Sequence, residues 1–206
     1  MYRTIIFDFD GTLIDSEKLV QSLFPTIIDE FNLTHLSKYA LSDFKKKSLK
    51  QIITEFKISP LLIFKINKKV QEEVFKKIPE LDWQEGVLQM LEMINSRGYD
   101  QGILTSNSRK NVDHFLSSKQ CELFSFIASS KHLFGKDKAL NQLIKRKKLM
   151  KREVLYVGDE VRDVEACLKI GIDVAAVSWG FDDEKLLVDV KPTYLVKHPK
   201  NLLECL

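Results

Sequence analysis

The chain has 206 residues, 44% of them hydrophobic and 30% charged, with a formal net charge of +3. That length can bury the core of one or two domains, and the composition excludes a disordered, collagen-like or disulfide-scaffold chain. So small a net charge gives no basis for expecting nucleic acid as a partner.

In chain order, the first element is a short β-rich run, TIIFDF, which predicts a strand ending at Asp8, with Asp10-Gly11 turning the chain behind it. Residues 16–82 carry no convincing strand. Helical periods there (Leu19, Leu23, Ile27; Ile52, Ile53, Phe56; Val70, Val74, Ile78) predict an all-helical insertion, interrupted at Ser59-Pro60 and Ile78-Pro79. Val87, Met90, Leu91 and Ile94 then share one helical face, and Gly98 follows Arg97 where a helix would stop.

A second apolar run, Tyr99 to Thr105, ends at Ser106-Asn107-Ser108. Ala139, Leu140, Leu143 and Ile144 supply a shorter helical face, and the third apolar run, Glu153 to Asp159, stops at Gly-Asp. Val161, Val164 and Leu168 repeat the helical face before Gly171, where the fourth run begins and continues to Gly180. Strands alternating with helices predict βαβ units. The expected fold class is α/β: a doubly wound, mainly parallel, Rossmann-like sheet formed by residues 1–15 and 83–206, with residues 16–82 inserted after the first strand.

Several features read as background. The basic run Lys145 to Arg152 lies across an expected helix end, where a solvated face complements the helix dipole. Cys121, Cys167 and Cys205 have no close spacing, which fits a reducing compartment. The N-terminus meets acid too early for a signal peptide, and no apolar run approaches ~20 residues. A cytoplasmic protein without a membrane partner is the expectation. No heptad seam is present from which an oligomeric state could be read.

Three apolar runs end in polar residues. Ligands of open α/β sheets sit at the carboxyl ends of strands, so Asp8 and Asp10, then Thr105, Ser106 and Asn107, then Asp159 with Glu160 and Asp163, are expected along one edge. Taken singly, each segment has a plainer use as a turn or a helix cap; their conjunction, in order and each at a strand end, points to chemistry. Carboxylates gathered without histidine or thiol call for a hard cation, Mg²⁺ rather than zinc. An aspartate can attack phosphorus, and a second aspartate two residues on can protonate the leaving oxygen and then deprotonate water. Gly11 lets the chain turn sharply where the backbone approaches a ligand.

DFDGTLID, ILTSN, LFGKDKAL and YVGDEVRD, in this order, resemble the four motifs of the haloacid dehalogenase superfamily, and the chain is most similar to its phosphoglycolate-phosphatase-like hydrolases with a helical cap. The resemblance implies a Mg²⁺-dependent phosphatase acting on a small phosphorylated metabolite through an aspartyl-phosphate. It implies Asp8 as nucleophile and Asp10 as general acid/base, with Gly11, Thr105, Ser106, Asn107 and Lys136 around the phosphoryl group. It also implies Asp8, Asp10, Asp159 and Asp163 as metal ligands, the Asp10 carbonyl among them. Lys138 is the alternative to Lys136 in the third motif, and Glu160 reads as a helix-start carboxylate.

Residues 16–82 become the cap, with hinges near Asp15-Ser16 and Pro79–Gly86. The cap departs from the pattern: FKKKSLKQII stands where similar sequences carry a glycine ahead of a serine-led helix. Lys45 to Lys47, Ser48 and Lys50 read as a solvated run first and as substrate contacts second. Trp179 and Gly180 stay outside the catalytic set. A phosphomutase on the same scaffold and a phospho-accepting signalling module without turnover are the alternatives; the acid at Asp10 and the helical insertion argue against the module.

Overall fold

A computed structural model describes residues 1–130 and 135–206. The chain runs β1 (Thr4–Phe7), α1 (Glu17–Glu30), α2 (Leu41–Phe44), α3 (Leu49–Glu55), α4 (Pro60–Lys77), α5 (Val87–Ser96), β2 (Asp100–Thr105), α6 (Arg109–Ser118) and β3 (Phe126–Ser129). It continues with α7 (Lys136–Lys147), β4 (Val154–Gly158), α8 (Val161–Ile170), β5 (Asp173–Val177), α9 (Glu184–Asp189) and β6 (Tyr194–Val196).

The strands form one parallel sheet in the order β3-β2-β1-β4-β5-β6. Thr4 to Phe7 pair with Asp100 to Ile103 on one side and with Val154 to Val157 on the other. Strand order therefore reverses at β1, and the carboxyl ends of β1, β2 and β4 lie side by side. Both faces are covered. Ile5, Phe7, Val87, Leu91, Val112 and Phe115 belong to one buried cluster; Ile6, Tyr156, Leu140, Ile144, Val164 and Val174 belong to the other. Each such side chain withdrawn from water contributes about 1.5–3 kcal/mol.

The helix ends follow the local chemistry. Ser59 caps α4 by accepting a hydrogen bond from Leu62 N–H at 3.2 Å, and Pro60 takes the first helical position, where its missing N–H costs nothing. Ser108 caps α6 through Asn111 N–H at 3.1 Å. Gly98 and Gly171 stand just behind α5 and α8 with positive φ.

Residues 16–82 contain helices and no strand, and they build a third cluster from Ile28, Leu33, Leu36, Ile58 and Ile63, bordered by Phe24, Tyr39 and Phe56. The two connections between this helical segment and the sheet lie beside each other. Asp15 N–H donates to Asp82 C=O at 3.0 Å and Gln84 N–H to Leu13 C=O at 2.9 Å. α4 belongs to both regions: Ile63 sits in the helical cluster, whereas Val74, and Ile78 just past its end, are buried in the sheet's cluster.

Two expectations need correction. The sheet has two strands beyond the four expected, β3 and β6, which form its two edges. Both are short and only partly buried, so no apolar run marks them. Leu168 does not share the buried face of α8; it is 48% exposed. Asp163 and Cys167 turn inward instead, which rotates the buried stripe away from Leu168. No described helix is long and apolar enough to cross a membrane.

Candidate active site

Asp8 follows β1 directly, and its N–H still donates to Val157 C=O at 2.8 Å, so the strand's ladder fixes its position. Its carboxylate is 2% exposed; one oxygen accepts from Phe9 N–H at 2.8 Å and the other from the Lys136 ammonium at 2.6 Å. Lys136 opens α7, is itself 4% exposed, and also bonds to Asp163. Lys138 lies exposed on the same helix, so the third motif brings Lys136 to the acidic edge. Leu133 and Phe134 of that motif lie outside the described residues.

Asp10 is gripped by a side chain from the second strand end. The Asn107 amide donates to both of its carboxylate oxygens, at 3.1 and 2.9 Å. The Asn107 oxygen in turn accepts from Ser108 N–H at 2.7 Å and from the Asn111 amide at 2.8 Å. Thr105 is fully buried, and its hydroxyl accepts from Asn107 N–H at 3.0 Å. The Ser106 carbonyl accepts from the Gln71 amide at 2.8 Å, which joins α4 to the site.

Asp159 ends β4 and is fully buried. Thr12 O–H donates to one of its oxygens at 2.6 Å and Phe181 N–H to the other at 2.8 Å. Gly11 has φ +75°, and a Cβ there would lie 2.3 Å from an Asp159 oxygen; at Gly180 it would lie 2.2 Å from that oxygen. Both glycines allow the backbone to close around Asp159, and side chains at either would drive it out. The Trp179 indole N–H donates to Thr12 C=O at 3.0 Å, fastening the loop after β5 to the loop after β1.

Charge is unbalanced here. Asp8, Asp10, Asp159, Glu160 and Asp163 crowd together against the cations of Lys136 and Arg162, the latter donating to Glu160 at 2.7 Å. Burial first, then the charge of Asp8, pushes the Asp10 carboxyl up to about 7. Burial pushes Asp163 up to about 6, with Lys136 pulling against it, and raises Asp159 well above the usual carboxylate range, helped by Glu160 and Asp8. Repulsion of this kind is what a divalent cation relieves. Asp8, Glu160 and Asp163 each offer an oxygen, and these atoms lie within 4.8 Å of one another. All are hard donors, so the residues present fit Mg²⁺.

The structure thus brings Asp8, Asp10, Gly11, Thr105, Ser106, Asn107, Lys136, Asp159 and Asp163 to one edge of the sheet. It places Glu160 within the oxygen cluster and Asp159 outside it. The Glu160 side chain accepts from Arg162 in the first turn of the helix it begins. Asp182 also escaped sequence reading: its carboxylate accepts from Val161 N–H at 2.7 Å, and burial pushes it up to about 7. Only the DD pair after Phe181 hinted at it.

A cavity of about 310 Å³ opens above this edge, floored by Asp8, Asp10, Ser106, Asn107 and Glu160 and roofed by α1 to α4. Lys45 and Lys47 line it, paired with Glu17 at 2.8 Å and Glu55 at 2.5 Å. Ser48 caps α3 and Lys50 is exposed. Ser16, 1% exposed, borders the cavity with a hydroxyl that has no partner among the described residues.

Known proteins resemble this chain along its whole length. Residues 5–177 match the sequence model of the haloacid dehalogenase-like hydrolases. A phosphoglycolate phosphatase of Synechococcus elongatus is 34% identical over 203 residues, covering 98% of this chain and 96% of the relative. The pyrophosphatase PpaX of Bacillus cereus is 26% identical, covering 99% of this chain and 96% of its own. A haloacid dehalogenase-like family hydrolase from Streptococcus pneumoniae, 22% identical, superposes with a TM-score of 0.73 over 99% of this chain and 98% of its own, a likeness of fold. With strand order, strand-end acids and sequence in agreement, the chain belongs to the haloacid dehalogenase-like hydrolase family, as a phosphatase.

Proposed function

We propose that this phosphatase hydrolyses a small phosphate monoester through a covalent phospho-Asp8. The observation that carries the reading is the pairing at the strand ends: Asp8, held by Lys136 at 2.6 Å, stands two residues from an Asp10 clasped by Asn107, with both acids on the cavity floor.

In the first step an Asp8 oxygen attacks phosphorus, a new O–P bond forms and the ester O–P bond breaks, and Asp10 gives its proton to the departing alcohol oxygen. In the second step Asp10, now ionised, takes a proton from water; that water attacks phosphorus and frees Asp8 with inorganic phosphate. A carboxyl raised to about 7 suits both tasks near neutral pH. Lys136 offsets charge on the phosphoryl oxygens and fixes the Asp8 rotamer, while Thr105 shapes the turn that aims Ser106 and Asn107 at the same space. Asp8, Asp163 and Glu160, with Asp159 behind them, would hold Mg²⁺, which supplies neutralisation of phosphoryl charge. Residues 16–82 act as a cap that shields the phospho-intermediate, and the free thiols Cys121, Cys167 and Cys205 favour a reducing, cytoplasmic setting.

The test is phosphate release from a panel of phosphorylated metabolites, with Mg²⁺ and with EDTA, for the native protein and Asp8→Asn. Release that needs both the metal and Asp8 supports the reading. Release by Asp8→Asn at the native rate overturns the nucleophile, and no release from any compound shifts the chain to phosphoryl return or storage.

A further inference from the structure

The floor and the roof of the cavity differ in chemistry. The floor is polar and takes the phosphoryl group. The roof is mostly apolar, with Val20 of α1, Phe44 of α2, Leu49 and Ile52 of α3, and Ile66 and Val70 of α4, interrupted by Lys45, Lys47, Asn67 and Gln71. The apolar side chains are only partly covered, so apolar surface is left facing the space where the rest of a substrate must sit.

Cations among the described lining residues are already engaged. Lys45 holds Glu17, Lys47 holds Glu55 and Arg162 holds Glu160. An anionic leaving group would have to compete with the carboxylate already on each cation, at a small cost for the partly exposed Lys45 and Lys47 pairs, or lie unpaired against hydrocarbon at a larger cost. At about 310 Å³ the space matches a ligand at the small end of the usual pocket range, about 300–1,000 Å³. A two-carbon acid would leave much of the roof bare. Among the described residues Ser16 is the one buried hydroxyl with no partner, and with the Asn67 amide it offers the cavity neutral hydrogen bonds.

Resting on the phosphatase reading, we infer that the substrate is a phosphate monoester of a largely apolar alcohol, aromatic-ring sized and carrying few, neutral polar groups, rather than a phosphorylated carboxylic acid or a diphosphate. The roof residues Phe44, Leu49, Ile52 and Ile66 set this choice.

The experiment compares kcat/KM for benzyl phosphate, 2-phosphoglycolate and pyrophosphate with Mg²⁺ present. Benzyl phosphate and 2-phosphoglycolate both release a primary alcohol, so their difference reads the roof and not the ease of bond breaking. Benzyl phosphate is expected to exceed each of the others at least tenfold. Ile66→Lys and, on the facing wall, Leu49→Lys each introduce an unpaired cation; each is expected to move the benzyl-to-phosphoglycolate ratio at least tenfold towards the acid. Two separate walls keep the test alive should one variant fail to fold. If 2-phosphoglycolate or pyrophosphate equals or exceeds benzyl phosphate while release still requires Asp8, the inference falls and the phosphatase stands. A ratio unmoved in a folded variant also overturns it. No release from any of the three removes the phosphatase reading and the inference with it.

Discussion

Lys136 places one ammonium group between two buried carboxylates from different elements, 2.6 Å from Asp8 at the end of β1 and in direct contact with Asp163 in the first turn of α8. Burial disfavours the charge on Lys136, but Asp163 and Asp8 more than compensate and raise its pKa overall. Removing the cation leaves two carboxylates facing each other without water.

Lys136→Met is therefore expected to lose turnover and to lower stability by about 3–5 kcal/mol, the usual effect of stripping one partner from a buried pair. Lys138→Met, on the exposed side of the same helix, is expected to retain both activity and unfolding midpoint. Denaturant unfolding beside a phosphate-release assay separates the two lysines. Equal effects would dismiss the assignment of Lys136.

Asp10→Asn removes the proposed proton shuttle and keeps the shape. Its kcat is expected to fall by about 10²–10⁴, with phospho-Asp8 formed slowly or accumulating. Quenched-flow trapping of the phosphoenzyme reads this directly, and unchanged single-turnover kinetics would sink the acid/base role.

Thr12→Val deletes the hydroxyl that donates to Asp159 at 2.6 Å while leaving volume nearly constant. A buried acceptor deprived of its donor costs about 1–3 kcal/mol. The loss is expected in thermal unfolding with EDTA present. An unmoved midpoint would show that Asp159 does not depend on Thr12.

The pH dependence of the metal-free protein follows from the raised carboxyls. Burial pushes Asp10 and Asp182 up to about 7 and Asp163 up to about 6. Unfolded aspartates titrate near about 4, so between these values the folded chain holds more protons than the unfolded one. The stabilisation is complete below about pH 4 and is lost as pH rises through about 6 to 7. In EDTA the unfolding midpoint is expected to fall by several degrees between about pH 5 and pH 8, and added Mg²⁺ to raise it more at the upper pH. A midpoint that climbs over this range would contradict the crowding of acids described above.

What the sequence displays depends on burial. The four central strands are withdrawn from water on both faces and so appear as unbroken apolar runs, whereas β3 and β6, at the edges, are four and three residues long with mixed exposure. α8 misled because Asp163 turns inward, which hydrophobic periodicity cannot register. At the site, the strand-end acids were legible because spacing along a strand fixes them. Asp182, the Thr12 contact with Asp159 and the clasp of Asn107 on Asp10 were not, since each joins loops far apart in the chain. Glu160 looked like an ordinary helix-start acid until the neighbours of its side chain were visible.

α4 has a mechanical consequence. Its Val74 is set into the sheet's buried cluster while Ile63, three turns earlier, belongs to the cluster of the helical roof, so one helix spans both regions. On the far rim, the backbone of Lys45 meets that of Asp183 through a single hydrogen bond of 2.9 Å. Any opening of the roof would therefore pivot about α4 and break the Lys45–Asp183 hydrogen bond first, while the Lys45–Glu17 pair, which lies wholly within the roof, would travel with it.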